Sequence, residues 1–463
     1  MDPMNRLRAV ALSVAIACAA PAKVDANHTR LKKAFRKPPQ NGWIFVHLEG
    51  TPAEIGYQHG YLLASEILDA HKAVKLELTH ESKDWQYFRA AAEKVLWPHV
   101  DAEYRAELEG IVEGLRAKSV SLDLWDIVAT NAWLELDPYY LDWADAHPAR
   151  PTGDHCSAFV ATGSYTHDGK PVIAHNNWTD YVTGSRWNVI FDITPERGNR
   201  FIMDGMPGLI HSGDDFGINS AGMMITETTI SQFHGFDPNG VPEFVRARKA
   251  MQYSSSIDDF ARIMKDGNNG GYANDWLLAD RNTGEIASLE LGLKHVNLWR
   301  TKDGYFAGSN YPTDPALARD ETDYDVKDPR LSANARHIRW DQLMQENKGR
   351  IDVALGQRFL ADHFDTFDKK IEPSERTLCG HVELSARGSR PWQPPYGAAG
   401  AVQNKVADAS MAQQMMLSAS MGHSCGIHFK AAKHLQAHPE LDWQKDEMRD
   451  LDSHRWTLFK VSK

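Results

Sequence analysis

A chain of 463 residues is long enough for one large core or two ordinary ones, and 42% hydrophobic with 24% charged residues is the composition of a soluble globular protein. The formal net charge of −11 is spread along the chain without any basic cluster. Nucleic acid is therefore excluded as an expected partner and strong adsorption to anionic lipid is not expected, while neutral or cationic small substrates are admitted more easily.

The opening residues combine Arg6 and Arg8 with an apolar run from Ala9 to Ala20, followed by small-residue cleavage options at Ala20-Pro21-Ala22 or Val24-Asp25-Ala26. This pattern predicts a signal peptide over 1–26. No later stretch approaches ~20 uninterrupted apolar residues, so the expected product is secreted or periplasmic, or delivered to a lysosome-like lumen in a eukaryote. Cys18 in "AIAC" is a poor version of a lipoprotein site and a lesser alternative.

From 27 to 155 the chain reads as mainly helical. Thr51-Pro52-Ala53-Glu54 forms a capping box with proline at the first helical position. Apolar residues then recur at helical spacing through "YLLASEILDAHKAVKLEL", "YRAELEGIVEGLRAKS" and "LDLWDIVATNAWLEL". Trp125, Trp133, Tyr139, Tyr140 and Trp143, within and just after the last of these regions, read as core more readily than as an acyl pocket. After "HPARPTGD" the character changes to short runs rich in Val, Ile, Phe and Thr, broken by Gly, Asp, Asn or Pro, as antiparallel strands require. Helical pattern returns in "PEFVRARKAMQYSSSIDDFARIMKDG". Two hairpins turn at Asn282-Thr283-Gly284 and Lys302-Asp303-Gly304, and another amphipathic helix follows in "ANARHIRWDQLMQE". Strands and helices grouped in blocks predict an α+β layered fold.

Removal of the signal leaves three cysteines, Cys156, Cys379 and Cys425. In an oxidising compartment two of them can pair. Cys379 in "TLCGH" and Cys425 in "GHSCGIH" suit a disulfide between two turns, which leaves Cys156 in "GDHCSAF" to explain. It is either a buried small residue or a nucleophile. There is no Gly-x-Ser-x-Gly elbow, phosphate-binding glycine loop or His-Glu-x-x-His pair. His423, Cys425 and His428 are close in sequence but lack further ligands, so neither a metal nor a cofactor is expected. Asp214 and Asp215 are read as braces of a turn. If the His155–Cys156 bond were cut, Cys156 would carry both a thiol and an α-amine, whose reference pKa of about 7.7–8.0 suits a general base.

The blocks "CSAF", "AHNNW", "SGDDFGINSAGMMITETTI", "GNNGGYANDWLLAD" and "GAVQNKVADAS" resemble, in this order, the phospholipase B-like proteins. "GTPAEIGYQHGYLLASEI", "SNYP" and "NARHIRW" look more like the C45 family of autoproteolytic acyltransferases and amidases. The resemblance spans roughly residues 45 to 420. It implies an N-terminal-nucleophile hydrolase with a four-layer αββα sandwich, made as a precursor that cleaves itself between His155 and Cys156. The helical part 27–155 would stay with the catalytic chain 156–463. By the same resemblance Cys156 is nucleophile and base, Asn274 an oxyanion-hole donor and His175 a further catalytic residue, with Trp178, Asn219 and Arg336 around the substrate. His175 and Trp178 stand where bile-salt and penicillin acylases carry Arg and Asp, so a choloylglycine-type substrate is not implied. The expected reaction is cleavage of an amide or related acyl bond in a small molecule. The alternatives are lipid ester deacylation and an inactive secreted binding protein. "NHT" and "NNWT" match glycosylation acceptors, the second at Asn177.

Overall fold

The computed structural model describes residues 26–80, 82–145, 156–390 and 392–462. The expected signal segment, apart from its last residue, and the expected cleavage residue His155 lie outside these residues.

The capping box forms as read. The Thr51 side chain accepts from the Glu54 backbone, Glu54 returns the bond to the Thr51 N–H at 2.9 Å, and Pro52 opens the helix Pro52–Leu62. This helix packs against Ala102–Ala117 through glycines on both partners. A β-carbon at Gly56 or Gly60 would overlap the carbonyl oxygens of Glu107 and Ile111, and one at Gly110 or Gly114 would meet those of Ala53 and Tyr57. The two backbones approach more closely than any side chain would permit.

In chain order the strands are β1 (Phe35–Arg36), β2 (Ile44–Gly50), β3 (Ser157–Thr162), β4 (Val172–Asp180), β5 (Val189–Pro195) and β6 (Phe201–Gly205). There follow β7 (Gly217–Asn219), β8 (Met223–Thr229), β9 (Asn274–Asp280), β10 (Glu285–Leu291), β11 (Val296–Thr301) and β12 (Gly304–Gly308). The short hairpin β13 (Phe364–Asp365) and β14 (Lys370–Ile371) precedes β15 (Ala399–Asp408), β16 (Met416–Met421) and β17 (Thr457–Lys460). One sheet has nine strands in the order β1-β2-β5-β6-β7-β8-β9-β10-β11, and the other has six, β12-β3-β4-β15-β16-β17. All pairings in the two sheets are antiparallel except β2 with β5, which run parallel over seven residue pairs from Ile44↔Val189 to Gly50↔Pro195. The helical N-terminal part thus contributes β2, second from the edge, to a sheet otherwise built mainly from later residues.

Alternation along the strands sorts the core into layers. Ala158, Val160 and Ile173 of the six-stranded sheet meet Ile190, Ile202, Ile218 and Leu277 of the nine-stranded one, so the sheets pack face to face. On the outer face of the small sheet, Phe159, Ala174 and Val406 pack against Trp340, Leu343 and Phe359 of helices Ser332–Glu346 and Val353–Phe359. On the outer face of the large sheet, Val46, Phe191, Ile225 and Leu289 meet the N-terminal helices and Glu243–Tyr253. The expected α+β, αββα sandwich is what the structure has. Trp133, Tyr139 and Tyr140 are buried in the helical layer, in keeping with their reading as core, whereas Trp143 is exposed. Among the described residues no helix is long and apolar enough to cross a membrane.

Candidate active site

Cys156 immediately precedes β3, and the pleat puts its side chain on the face that looks into the space between the sheets, with Ala158 and Val160. It is buried, and its backbone has φ +136°, a region essentially reserved for glycine. Its Sγ lies 4.0 Å from Asn177 Oδ1. His175 stands across from Ala158 on one side and Lys405 on the other, its ring on the same inter-sheet face as the thiol. Glu227 of β8 completes the group: one ligand-type atom each from Cys156, His175 and Glu227 lies within 4.8 Å of the other two.

The electrostatics set the protonation states. Burial, reinforced by Glu227, pushes the Cys156 thiol well above its ordinary range, against the opposing effect of the Trp178 backbone. Burial and the Lys405 charge hold His175 well below the ordinary histidine value. The two shifts together disfavour transfer of the thiol proton to this imidazole. Burial, with the neighbouring Asp215 and Asp214, raises Glu227 far above the carboxylate range. Its oxygens accept from Tyr272 Oη at 3.3 Å and, with the amide oriented to satisfy its neighbours, from Asn274 Nδ2 at 2.9 Å. Asn274 also donates to Ala273 O at 3.1 Å. Both Asn274 donors are therefore engaged in the wall of the site.

A buried ion cluster borders His175. Lys405 Nζ bonds Asp214 and Asp204, the latter at 3.2 Å, and Gln403 Nε2 donates to the same two carboxyls at 2.7 and 2.6 Å. Burial would raise Asp214, but Lys405 outweighs it and holds the carboxyl below its ordinary value. Burial keeps Asp204 well above it. The two carboxyls beside Lys405 are thus pushed in opposite directions. His175 Nδ1 is 3.8 Å from Asp214 Oδ2. Asp214 and Asp215 lie in the loop between β6 and β7 rather than on a strand. Both are buried. Asp214 turns to Lys405, and Asp215 joins His211 and Glu243. Neither is the simple turn brace expected.

The side chains of the other expected residues do not reach the Cys156 sulfur. Trp178 lies on the outer face of β4, under the Arg336 guanidinium at 4.4 Å and against Gly380, where no β-carbon would fit. Arg336 Nη1 donates to Cys156 O at 2.5 Å and to Ser157 Oγ at 3.0 Å, so it clamps the backbone that carries the thiol. Asn219 spends its amide on Met251 O, Ser254 O and the N–H groups of Gly222 and Met223. It braces the β7–β8 turn and the end of helix Glu243–Tyr253 instead of facing a substrate. Asn177 is buried, which leaves its glycosylation motif without access in the folded chain. The expected Cys379–Cys425 disulfide is corrected by the structure: both are free thiols, with the His381 imidazole between them. Glu227 and Lys405 were missed, and each left one sign, a charged residue inside a strand of buried residues ("MMITETT", "AGAVQNKVAD").

A family-level match to phospholipase B covers residues 66–296. A putative phospholipase B-like 1 of Caenorhabditis elegans is 31% identical over 151 residues, covering 31% of this chain and 26% of that one. The 40 kDa form of acyl-coenzyme A:6-aminopenicillanic-acid-acyltransferase from Emericella nidulans is 26% identical over 235 residues, covering 48% of this chain and 57% of that one. Among solved structures, a mutant conjugated bile acid hydrolase from Clostridium perfringens overlays with a TM-score of 0.32 at 10% identity, covering 66% of this chain and 97% of that one. The chain thus spans about a quarter to just over half the length of these two sequence relatives. The family-level match and these sequence relatives agree with the resemblance read from the sequence blocks.

Proposed function

We propose, for a chain whose residues 66–296 carry the phospholipase B match, that it is an exported hydrolase which cuts itself before Cys156 and then cleaves an amide or related acyl bond through a thioester. The observation that carries this reading is the combination of a buried, strained Cys156 with a neighbouring imidazole held neutral. A cysteine–histidine pair needs the imidazole as base, and here burial and the Lys405 charge oppose that role. The α-amine released by cleavage is the remaining base of suitable pKa, about 7.7–8.0 in its reference state.

In the uncut chain, φ +136° at Cys156 stores on the order of 1–3 kcal/mol. Cleavage of the preceding bond removes the constraint, because the freed amine can rotate. The thiol adds to the carbonyl of residue 155, the acyl group passes from nitrogen to sulfur as the amine takes up a proton, and water hydrolyses the thioester to a carboxylate. In turnover the thiol gives its proton to the α-amine and attacks the substrate carbonyl, and the ammonium returns that proton to the leaving group. Water, deprotonated by the amine, then releases the acid and restores the thiol. Asn274 can donate to the developing oxyanion once one of its two engaged hydrogens turns from its present acceptor. Arg336, bonded to Cys156 O, keeps the nucleophile in register. The N-terminal part stays with the catalytic chain because β2 is hydrogen-bonded into the large sheet along its length.

The phospholipase B-like relatives favour a second reading, deacylation of lipid esters by the same thiol. Free fatty acid released from phospholipid vesicles, set against acid released from N-acyl amino acids, separates the two. Wild-type protein should give two bands on a denaturing gel, the larger beginning at Cys156, and Cys156→Ala should give one inactive band. An uncut wild-type chain that hydrolyses substrate would refute the mechanism.

A further inference from the structure

On the outer face of β4, away from Cys156 Sγ, three separate segments converge. His363 follows helix Val353–Phe359, Cys379 and His381 precede the short turn Val382–Leu384, and Cys425 follows β16. One ligand-type atom from each of the four lies within 4.8 Å of all the others. His381 Nε2 is 3.5 Å from Cys379 Sγ and 3.4 Å from Cys425 Sγ. A tetrahedral zinc with bonds of about 2.3 Å to sulfur and about 2.0–2.1 Å to nitrogen has sulfur–nitrogen edges of about 3.5 Å. The spacing is that of ligands around an ion rather than of two sulfurs bonded to each other.

The surroundings prepare these atoms for a cation. His381 Nδ1 lies 2.8 Å from Glu383 Oε1, which fixes the proton there and leaves the Nε2 lone pair aimed between the sulfurs. Glu383 is itself fixed by Tyr181 Oη, 2.6 Å from its other oxygen. His363 adds a buried Nε2 that has no hydrogen-bond partner among the described residues. The histidines nearest Cys425 in sequence are committed elsewhere. His423 contacts Tyr181 Oη at 2.9 Å and Ile427 O at 3.0 Å through its two nitrogens, and exposed His428 pairs with Asp452 at 3.0 Å. The four ligands come from positions 363 to 425, so no short motif announces them.

We propose that His363, Cys379, His381 and Cys425 form a closed structural zinc site. Two soft thiolates and two imidazoles suit zinc among the common divalent ions, and four protein ligands leave no position for substrate or water. Binding releases the two thiol protons to solvent and changes no oxidation state. The metal replaces the disulfide expected of Cys379 and Cys425, and it revises the expectation of a metal-free chain.

The ion would fasten the segments that support β4 from behind. Asn176 Nδ2 donates to Leu360 O and Leu378 O at 2.9 and 2.7 Å, and Ser424 Oγ donates to Leu360 O at 2.6 Å. Gly380, between the ligands Cys379 and His381, is the residue on which the Trp178 ring rests. Loss of metal would loosen the strand that lies beside the nucleophile without removing any group that touches substrate.

The test uses the full chain, purified without chelator and analysed for metal by mass spectrometry. One zinc per chain is expected, falling to about a tenth or less in Cys379→Ser/Cys425→Ser and unchanged in His428→Ala. Cobalt-exchanged wild type should show thiolate-to-cobalt charge-transfer absorption, reduced by about half in Cys425→Ser as one of two thiolates is lost. If the double variant fails to fold, wild type alone decides, because bound zinc should protect both Cys379 and Cys425 from alkylation until it is chelated. Wild type that takes up no zinc, with the two cysteines either joined in a disulfide by peptide mapping or both freely alkylated in excess zinc, would overturn the proposal.

Discussion

Replacing Asp275 with asparagine should stabilise the protein at pH 8 and leave it nearly unchanged at pH 4. Asp275 is buried on β9, accepts from Ser288 Oγ at 2.6 Å and sits directly across from Glu290 on β10. Burial raises its pKa from 3.8 to about 6. The folded state therefore holds this proton more tightly than the unfolded chain. The resulting stability is fully present below pH 3.8 and is lost as pH rises through about 6. A rise from 3.8 to about 6, at about 1.36 kcal/mol per pH unit, corresponds to about 3 kcal/mol. Asparagine keeps an acceptor for Ser288 and cannot ionise, so it avoids this loss. It also removes a charge that helps burial push Glu290 up to about 8. For a chain of this size about 3 kcal/mol corresponds to a rise of roughly 3 °C in melting temperature. Thermal melts of wild type and Asp275→Asn across this pH range provide the assay. An equal difference between the two proteins at both pH values would refute the reasoning.

Lys405→Met should cost about 3–5 kcal/mol by denaturant unfolding, because it leaves the Asp214 carboxylate buried without its cation. Adding Asp214→Asn should recover part of that loss. Glu227→Gln should move the pH profile of Cys156 alkylation to lower pH, since burial is the first and Glu227 the second cause of the thiol's raised pKa. An unshifted profile would remove Glu227 from the electrostatic environment of Cys156. Gly60→Ala should lower the unfolding free energy by about 1–3 kcal/mol even though alanine is the better helix former, because its β-carbon would overlap the Ile111 carbonyl.

What the sequence disclosed was what local rules govern. Thr51, Pro52 and Glu54 announce a helix start through contacts three residues apart, whereas the strand after Cys156 is buried on both faces, so its local pattern does not tell which face carries the thiol. Asp214 and Asp215 were read as turn braces because nothing in the local sequence shows Lys405 or Glu243, the distant groups they meet. Cys379 and Cys425 were correctly brought together, yet the imidazole between them is set by a backbone path that no spacing encodes. Lys405 acquires its meaning only when β15 lies beside β4, more than 200 residues earlier, and faces the loop that carries Asp214. Charged residues inside otherwise buried strands were the available sign, and their partners could be identified only in three dimensions.

The parallel pairing of β2 with β5 has a consequence for how the protein can fail. Before the proposed cut, an unfolded chain carries β2 tethered to the rest, and refolding is a first-order event independent of protein concentration. After the cut the same pairing joins two molecules. Unfolding then releases a fragment into solution, and recovery becomes a bimolecular search whose rate falls with dilution. The cut protein would owe its persistence to slow opening of the large sheet rather than to ready return, and denatured material should regain its fold only while uncut.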